Sequence, residues 1–420
     1  MKKAIKNGKL ILKDRVLEGY DLILKEGKIQ SVCPSEESKT EDGCIYDVKG
    51  SYVMPGIVDI HSDMIESYIQ PRSTAVMDFE MGLKEAEKVL VGCGITTMFH
   101  SISMFREGTW DVKAIRQAPQ VKRLAELVAR YRHEERLIRH RYHLRYEIDN
   151  LACYEQVKEM IQKGYVDLLS FMDHTPGQGQ YKNLDIYRKH QPNEGRDMTE
   201  EEFAALVKSE FEKETSTFDQ LKELAEMAKE CGISVASHDD DTLEKLQINK
   251  RLGVAISEFP ITMEVAKAAK LKGFKTVVGA PNILLGGSHS GNLSALEAIR
   301  EGAADVLVSD YYPQSLLQAV FQLYETEGIP VWEAVGYVTL APAEAVGLAD
   351  CIGSLEEGKE ADILVVKSQG GHPCLEKVFV AGECIMECHY RKADWRKYGD
   401  DIGNQRTIKR ILSACSKQID

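Results

Sequence analysis

The sequence contains no unbroken apolar run of the roughly eighteen residues a bilayer span requires, so a membrane helix is not expected. Its ten cysteines lie scattered with no CxxC pair and no small-domain density, the usage of reduced thiols serving as small core hydrophobes. No Walker-type G-x-x-x-x-G-K-[ST], low-complexity tract or internal repeat occurs. Cations are also short: 53 Lys and Arg stand against 66 Asp and Glu, a net charge of −13. That balance argues against a nonspecific nucleic-acid binder, whose affinity comes from neutralising phosphates with excess Lys and Arg. The opening MKKAIKNGKLILKDRV is basic but has no apolar stretch behind it, so it fails as a secretory signal and the chain reads as cytoplasmic.

What is present is a 420-residue chain with 43% apolar residues, enough for a sizeable core and long for a single ordinary domain. From Lys9 to Val32 apolar and polar residues alternate around a Glu26-Gly27 turn, which predicts a β-meander. After about residue 350, GSLEEGKEADILVVKSQG and LEKVFVAGECIM again read as short strands. Residues 1–54 and 350–390 are therefore expected to form one small β-domain, a sandwich built from both termini, with 391–420 as a tail. Between them, across 55–349, eight Val/Ile/Leu-rich runs alternate with amphipathic segments: YVMPGIVDIH, GITTMFHSI, YHLRYEI, VDLLSFMDH, ISVASHDD, VAISEFP, KTVVGAP and DVLVSDYY. Eight βα repeats fit a closed (β/α)8 TIM-like barrel of the α/β class better than an open sheet with a switch point. Two spans exceed plain crossovers, an Arg-rich one at 103–141 and one at 175–230 that starts as loop and continues as helix.

Residues at the carboxyl ends of barrel strands face the active site. Here they are His61, Asp63, Glu147, His174, His238, Asp239, Asp240, Glu258 and Asp310. Three imidazoles and several carboxylates at the ends of separate strands are hard to explain as packing, because buried groups of this kind need partners. His61 and Asp63, two apart on a strand, point the same way and can reach one ion. The pattern predicts a metal centre. Glu147 either ligates or pairs with a neighbouring arginine such as Arg145; Asp239 and Asp240 either orient the histidines or lie in a solvated loop, and Glu258 suits an orienting role better than ligation.

YVMPGIVDIHSD, the βα repeat and the closing GSLEEGKEADILVV resemble the amidohydrolase superfamily, metal-dependent hydrolases on a barrel flanked by a β-domain from both termini. HSDMIE, GITTMFHSI, YHLRYEI, SFMDHTPGQGQY, ASHDD, EFPIT, GAPNILLGGSHSGN and SDYYPQSL further resemble, in order, its alpha-D-ribose 1-methylphosphonate 5-triphosphate diphosphatase branch, which serves phosphonate breakdown. The resemblance implies that His61, Asp63, Glu147, His174, His238 and Asp310 hold one or two divalent ions. Asp310 would also accept the proton of the attacking water. Asp63 stands where the wider superfamily has a second histidine, and this hard oxygen ligand admits Mn or Fe beside Zn. Metal-generated hydroxide would attack the α-phosphorus of a triphosphorylated sugar and release pyrophosphate.

A triphosphate also needs N–H or cationic contacts. Gly286, Gly287, Ser288, His289 and Ser290 of GGSHSGN have the composition of an anion-binding nest, or of an ordinary turn. Gln178 and Gln180 lie in TPGQGQY, where a substrate loop would sit. The eleven Lys and Arg from Arg106 to Arg145 form a cationic stretch, most of it expected to be solvated helix face. The resemblance implies a homodimer with a small-molecule substrate, and neither nucleic acid nor membrane as partner. Two rival readings stand beside it: a cyclic amidase or deacetylase of the same superfamily, and a silent barrel that binds within a pathway.

Overall fold

The computed structural model describes residues 2–38, 43–107, 113–179, 184–190, 198–288, 292–370 and 372–390. The chain divides into two units, Met1–Glu387 and Cys388–Asp420, and the architecture below is that of the first. Among the described residues no helix is long and apolar enough to cross a membrane.

The amino-terminal segment supplies β1 (Lys2–Lys6), β2 (Lys9–Ile11), β3 (Val16–Leu17), β4 (Tyr20–Lys25), β5 (Lys28–Pro34), β6 (Cys44–Asp47) and β7 (Tyr52–Pro55). The far end of this unit supplies β16 (Ile363–Gln369), β17 (His372–Val380) and β18 (Glu383–Glu387). They assemble into a four-stranded sheet, β5-β4-β1-β6, and a six-stranded sheet, β18-β17-β16-β7-β2-β3. Ile5, Leu22, Leu24 and Ile29 from the first sheet and Leu10, Val53, Ile363, Val365 and Phe379 from the second share one buried cluster, so the two sheets sandwich a common core. The expected meander is split between them. The β4–β5 hairpin turns at Glu26 and Gly27, both at positive φ, but β2–β3 belongs to the other sheet. Alternation alone cannot reveal this, because a strand that changes sheets keeps its period of two.

The barrel strands are β8 (Ile57–Ser62), β9 (Ile95–Met104), β10 (Arg139–Glu147), β11 (Leu168–Met172), β12 (Ser234–His238), β13 (Ile256–Glu258), β14 (Lys275–Gly279) and β15 (Val306–Val308). All pair in parallel and in chain order, the eight-stranded arrangement expected from the alternating runs. Each helix on the outside turns one apolar face inward. In Phe79–Gly92 this face is Phe79, Leu83, Ala86 and Leu90, and the Asp78 side chain caps the first turn by accepting from Met81 N–H. Thr242, Thr262 and Ser294 cap three of the later helices in the same way. The long spans contain helices Ala118–Tyr131, Leu184–His190, Glu200–Phe211 and Phe218–Glu230.

The lower barrel is apolar. Val58, Ile60, Phe99, Leu168, Ala236, Ile256, Val277, Val306 and Val308 form one buried cluster, closed below by Ala343, Ala345 and Ile352. The seam between first and last strands closes only at the top: Ser62 bridges Asp310, Asp310 N–H donates to His61 O at 3.0 Å and Asp63 N–H to Asp310 O at 2.9 Å. Lower down, Leu307 and Val58 donate instead to Tyr337 and Val338. This closure draws His61, Asp63 and Asp310 into one corner of the upper rim.

Candidate metal centre

Polar side chains replace the apolar lining above that core. The alternation of β10 puts His143, Arg145 and Glu147 on one face, and all three are buried. His238 and Glu258 end their strands, His61 is the last residue but one of β8, and all three are buried. The rings meet: His61 lies 5.1 Å from His143 and 5.4 Å from His238 between centroids, and His238 lies 6.4 Å from His174. Phe259 closes one side, 5.0 Å from His61 and 5.2 Å from His238.

A carboxylate can only accept, which fixes where the imidazole protons sit. His61 donates from Nδ1 to Glu258 Oε1 at 2.9 Å, and His238 from Nδ1 to Glu258 Oε2 at 3.4 Å. His174 donates from Nδ1 to Glu147 Oε1 at 2.8 Å and Oε2 at 2.9 Å. Each of these histidines therefore turns Nδ1–H to a carboxylate and Nε2 away from it, the arrangement that orients imidazole ligands. Burial opposes a charge on His174, but the Glu147 carboxylate outweighs it and raises the ring above its ordinary range. Glu258 also accepts from Ser170 Oγ at 2.7 Å, and Ser170 in turn meets His143 Nε2 at 2.7 Å.

Protonation states suit a cation. Burial lowers His143 to about 3 and, with Arg145 nearby, holds His238 well below its ordinary range, so both stay neutral. His143 also meets Ser101 Oγ through Nδ1 at 2.9 Å, so both its ring nitrogens have serine partners. Burial opposes ionisation of Glu258, but the imidazoles of His61 and His143 and the hydrogen bonds from His238 and His61 outweigh it, keeping the carboxylate well below its usual range. The tightest set of ligand-type atoms among the described residues comes from His61, His143 and Glu258, all within 4.8 Å of one another. This buried His/His/Glu group fits a divalent ion by donor chemistry.

Backbone strain gathers at the same rim. Of seven described non-glycine residues with positive φ, Asp239 (51°), Phe259 (53°) and Asp310 (59°) sit here, and the other four lie in the terminal β segments. Each of the three is pinned by its own N–H to the adjacent strand: Asp239 to Glu258 O, Phe259 to Val277 O and Asp310 to His61 O. Such positions cost on the order of 1–3 kcal/mol each and persist where the surroundings over-determine them.

The remaining sequence candidates divide. Asp63 meets the Arg116 guanidinium at 3.4 Å, and Glu66 holds that arginine more closely, with Nη2 3.0 Å from Oε2. Burial raises Asp63, and the Glu66 charge adds to the rise. Glu147 is joined here to His174 instead of Arg145. Asp239 Oδ1 lies 3.7 Å from His238 Nε2, and burial pushes it up to about 6. Asp240, expected either to orient a histidine or to lie in a solvated loop, is turned away from the rings and buried. It accepts from Ser237, Ser257 and Asn249 at 2.6, 2.5 and 2.7 Å, and so braces β12, β13 and the following helix. Gln178 donates to Asp173 Oδ2 at 2.9 Å. The amides of Gly286 and Gly287 donate to Ile283 O and Asn282 O, ending the short helix Ala280–Leu284, so these two N–H groups are not presented to an anion as a nest. Ser288 follows them, half-buried; Gln180, His289, Ser290 and the 391–420 tail lie outside the described residues.

His143, Arg145, Glu66 and Arg116 were missed as site residues. The signal for the first two lay in YHLRYE, because a strand that ends in an inward Glu147 must also turn residues two and four earlier inward. Nothing in the sequence pairs Glu66 with Arg116, fifty residues away.

The amidohydrolase family profile matches residues 194–385. The alpha-D-ribose 1-methylphosphonate 5-triphosphate diphosphatase of Escherichia coli (strain K12) is 30% identical over 387 residues, 91% of this chain and 100% of that protein. The imidazolonepropionase of Streptococcus sanguinis (strain SK36) is 25% identical over 84% of this chain and 85% of its own. Among solved structures, a putative prolidase from Bifidobacterium longum aligns with a TM-score of 0.62 at 17% identity, covering 95% of this chain and 98% of that one, a likeness of fold.

Proposed function

This chain belongs to the amidohydrolase superfamily, and from that premise we propose that it hydrolyses a ribose 1-phosphonate 5-triphosphate to the 5-phosphate and pyrophosphate. The hydrolase class and the metal-binding character follow from the family and from the buried His/His/Glu group. The substrate rests on one observation, the 30% identity that runs the full length of the E. coli diphosphatase. One or two ions among Zn, Mn and Fe suit the mixed imidazole and carboxylate donors.

A divalent ion held by these residues would supply a lowered water pKa and a positive field for phosphoryl oxygens. The chain's own residues do the rest. Glu258 fixes the tautomers of His61 and His238, and Glu147 that of His174. Asp310, held at the seam by its bonds to His61 and Asp63, takes the proton of the attacking water. Phe259 and the apolar barrel floor keep bulk water away from the centre.

The test is a substrate panel with the chelator-stripped and reloaded enzyme: the ribosyl triphosphate, nucleoside triphosphates and dihydropyrimidine amides, assayed for pyrophosphate and for ring opening. Expected are pyrophosphate from the ribosyl triphosphate, its loss on stripping, and its return with Mn, Fe or Zn. Ring opening without pyrophosphate would replace this reading with the cyclic amidase, and full activity after verified metal removal would end the metal assignment.

A further inference from the structure

The eleven cationic side chains from Arg106 to Arg145 are sorted by the structure according to partner. Ten have a carboxylate oxygen within 4.0 Å: Arg116 clamps Glu66, Arg132 and Arg141 share Asp167, Arg139 reaches Glu360, and the others pair similarly. Arg145 alone, among the described residues, has none. It is also deeply buried, 9% exposed, on the inward face of β10 between His143 and Glu147. Its Nη2 points at His238 Nε2 from 3.4 Å, and its Nε is buried with no hydrogen-bond partner.

The Asp63 and Asp239 carboxylates act on Arg145 only from beyond ion-pair distance. A buried guanidinium that lacks a paired carboxylate is unfavourable for folding, so an element that keeps one is holding it for something else. The fork aims at Nε2 of His238, whose other neighbours are Asp239 Oδ1 at 3.7 Å and the His174 ring at 6.4 Å between centroids. We propose that Arg145 is the anion-binding and specificity-determining residue of the site: its planar fork takes two oxygens of a phosphoryl group and selects polyphosphorylated substrates over neutral amides. The proposal deepens the functional reading above and rests on it for the identity of the anion. It also supplies the donors that the Gly286 and Gly287 amides, spent on a helix end, do not.

The experiment compares the full-length wild type with Arg145→Met and Arg145→Lys, each metal-loaded, using inorganic tripolyphosphate as calorimetric probe, thermal melting and steady-state kinetics. Arg145→Met is expected to weaken tripolyphosphate roughly tenfold to a hundredfold, the loss of a charge-assisted bond. Its melting temperature should hold or rise, because a buried charge with no ion-pair partner is removed. Arg145→Lys, which keeps the charge and loses the fork, should raise KM severalfold with kcat nearly held. Unchanged tripolyphosphate binding in Arg145→Met, or a fall in melting temperature with binding intact, overturns the proposal in favour of a structural arginine. If Arg145→Met does not fold, an unchanged KM in Arg145→Lys overturns it. Arg145-dependent tripolyphosphate binding without pyrophosphate release in the wild type would overturn only the substrate reading; pyrophosphate release with a KM indifferent to Arg145 would overturn only this one.

Discussion

Two buried histidine–carboxylate groups lie on opposite sides of the barrel wall, with β10 contributing to both, and only one of them resembles a catalytic centre. On the outer face, between β9–β10 and the helices, His100 Nε2 meets His140 Nδ1 at 2.8 Å and His140 Nε2 meets Glu87 Oε2 at 3.1 Å. Glu87 also accepts the Leu137 N–H, and Tyr131 packs edge-on against His140. The chain of bonds ends on protein atoms and no cation is left over. On the inner face, Glu258 serves two histidines by Nδ1, three neighbouring backbone positions are strained, and Arg145 has no described carboxylate within 4.0 Å. Buried imidazole is thus no signature by itself. What marks the inner group is the gathering of imidazoles from separate strands beside a buried guanidinium whose Nε has no partner, held by a backbone under conformational strain.

The sharpest break between the two faces should come from Asp310→Asn. It keeps one ligating oxygen and removes the proton acceptor, so turnover should fall by on the order of 10²–10⁴ while metal content stays near that of the wild type. Rates close to wild type in that variant would take Asp310 out of the chemistry.

A smaller contrast pairs two isosteric changes. Glu258→Gln leaves His61 and His238 without a common acceptor and should cost roughly tenfold to a hundredfold in metal affinity or activity. Glu87→Gln should leave both untouched and lower stability by about 1–3 kcal/mol, read by denaturant titration. Equal effects of the two on metal affinity would erase the distinction drawn here.

The smallest effect is a slope. Burial, and next the neighbouring His140, hold His100 well below its ordinary value of 6.5, so the folded protein refuses a proton that the unfolded chain accepts. This stabilisation is complete above about pH 6.5 and is lost as pH falls below it. Replacing His100 by Asn should flatten the acid limb of stability against pH by up to about 1.4 kcal/mol per unit between pH 5 and 6.5. An unaltered limb would mean that His100 carries its proton when folded.

The barrel was legible because eight apolar runs separated by helical periods leave few arrangements, and the strand-end rule then selected His61, His174, His238 and Asp310 without coordinates. Three things were not legible. The split of the first hairpins between two sheets leaves the period of alternation unchanged. Asp240 follows His238 by two residues, yet the left-handed Asp239 between them turns its carboxylate to Ser237 and Ser257. Arg145 looked like one charge in a cationic run, and only its lack of a carboxylate, a property of three-dimensional neighbours, separates it from the other ten.

The central claim is that imidazoles from distant strands converge to hold one cation inside the upper barrel. Anomalous diffraction at the metal absorption edge, from crystals of the metal-loaded enzyme, tests it directly. The account predicts a peak about 2.0–2.3 Å from a His61 nitrogen and from at least one nitrogen of His143, His174 or His238. An active, metal-loaded crystal whose peaks all lie away from these rings would contradict it.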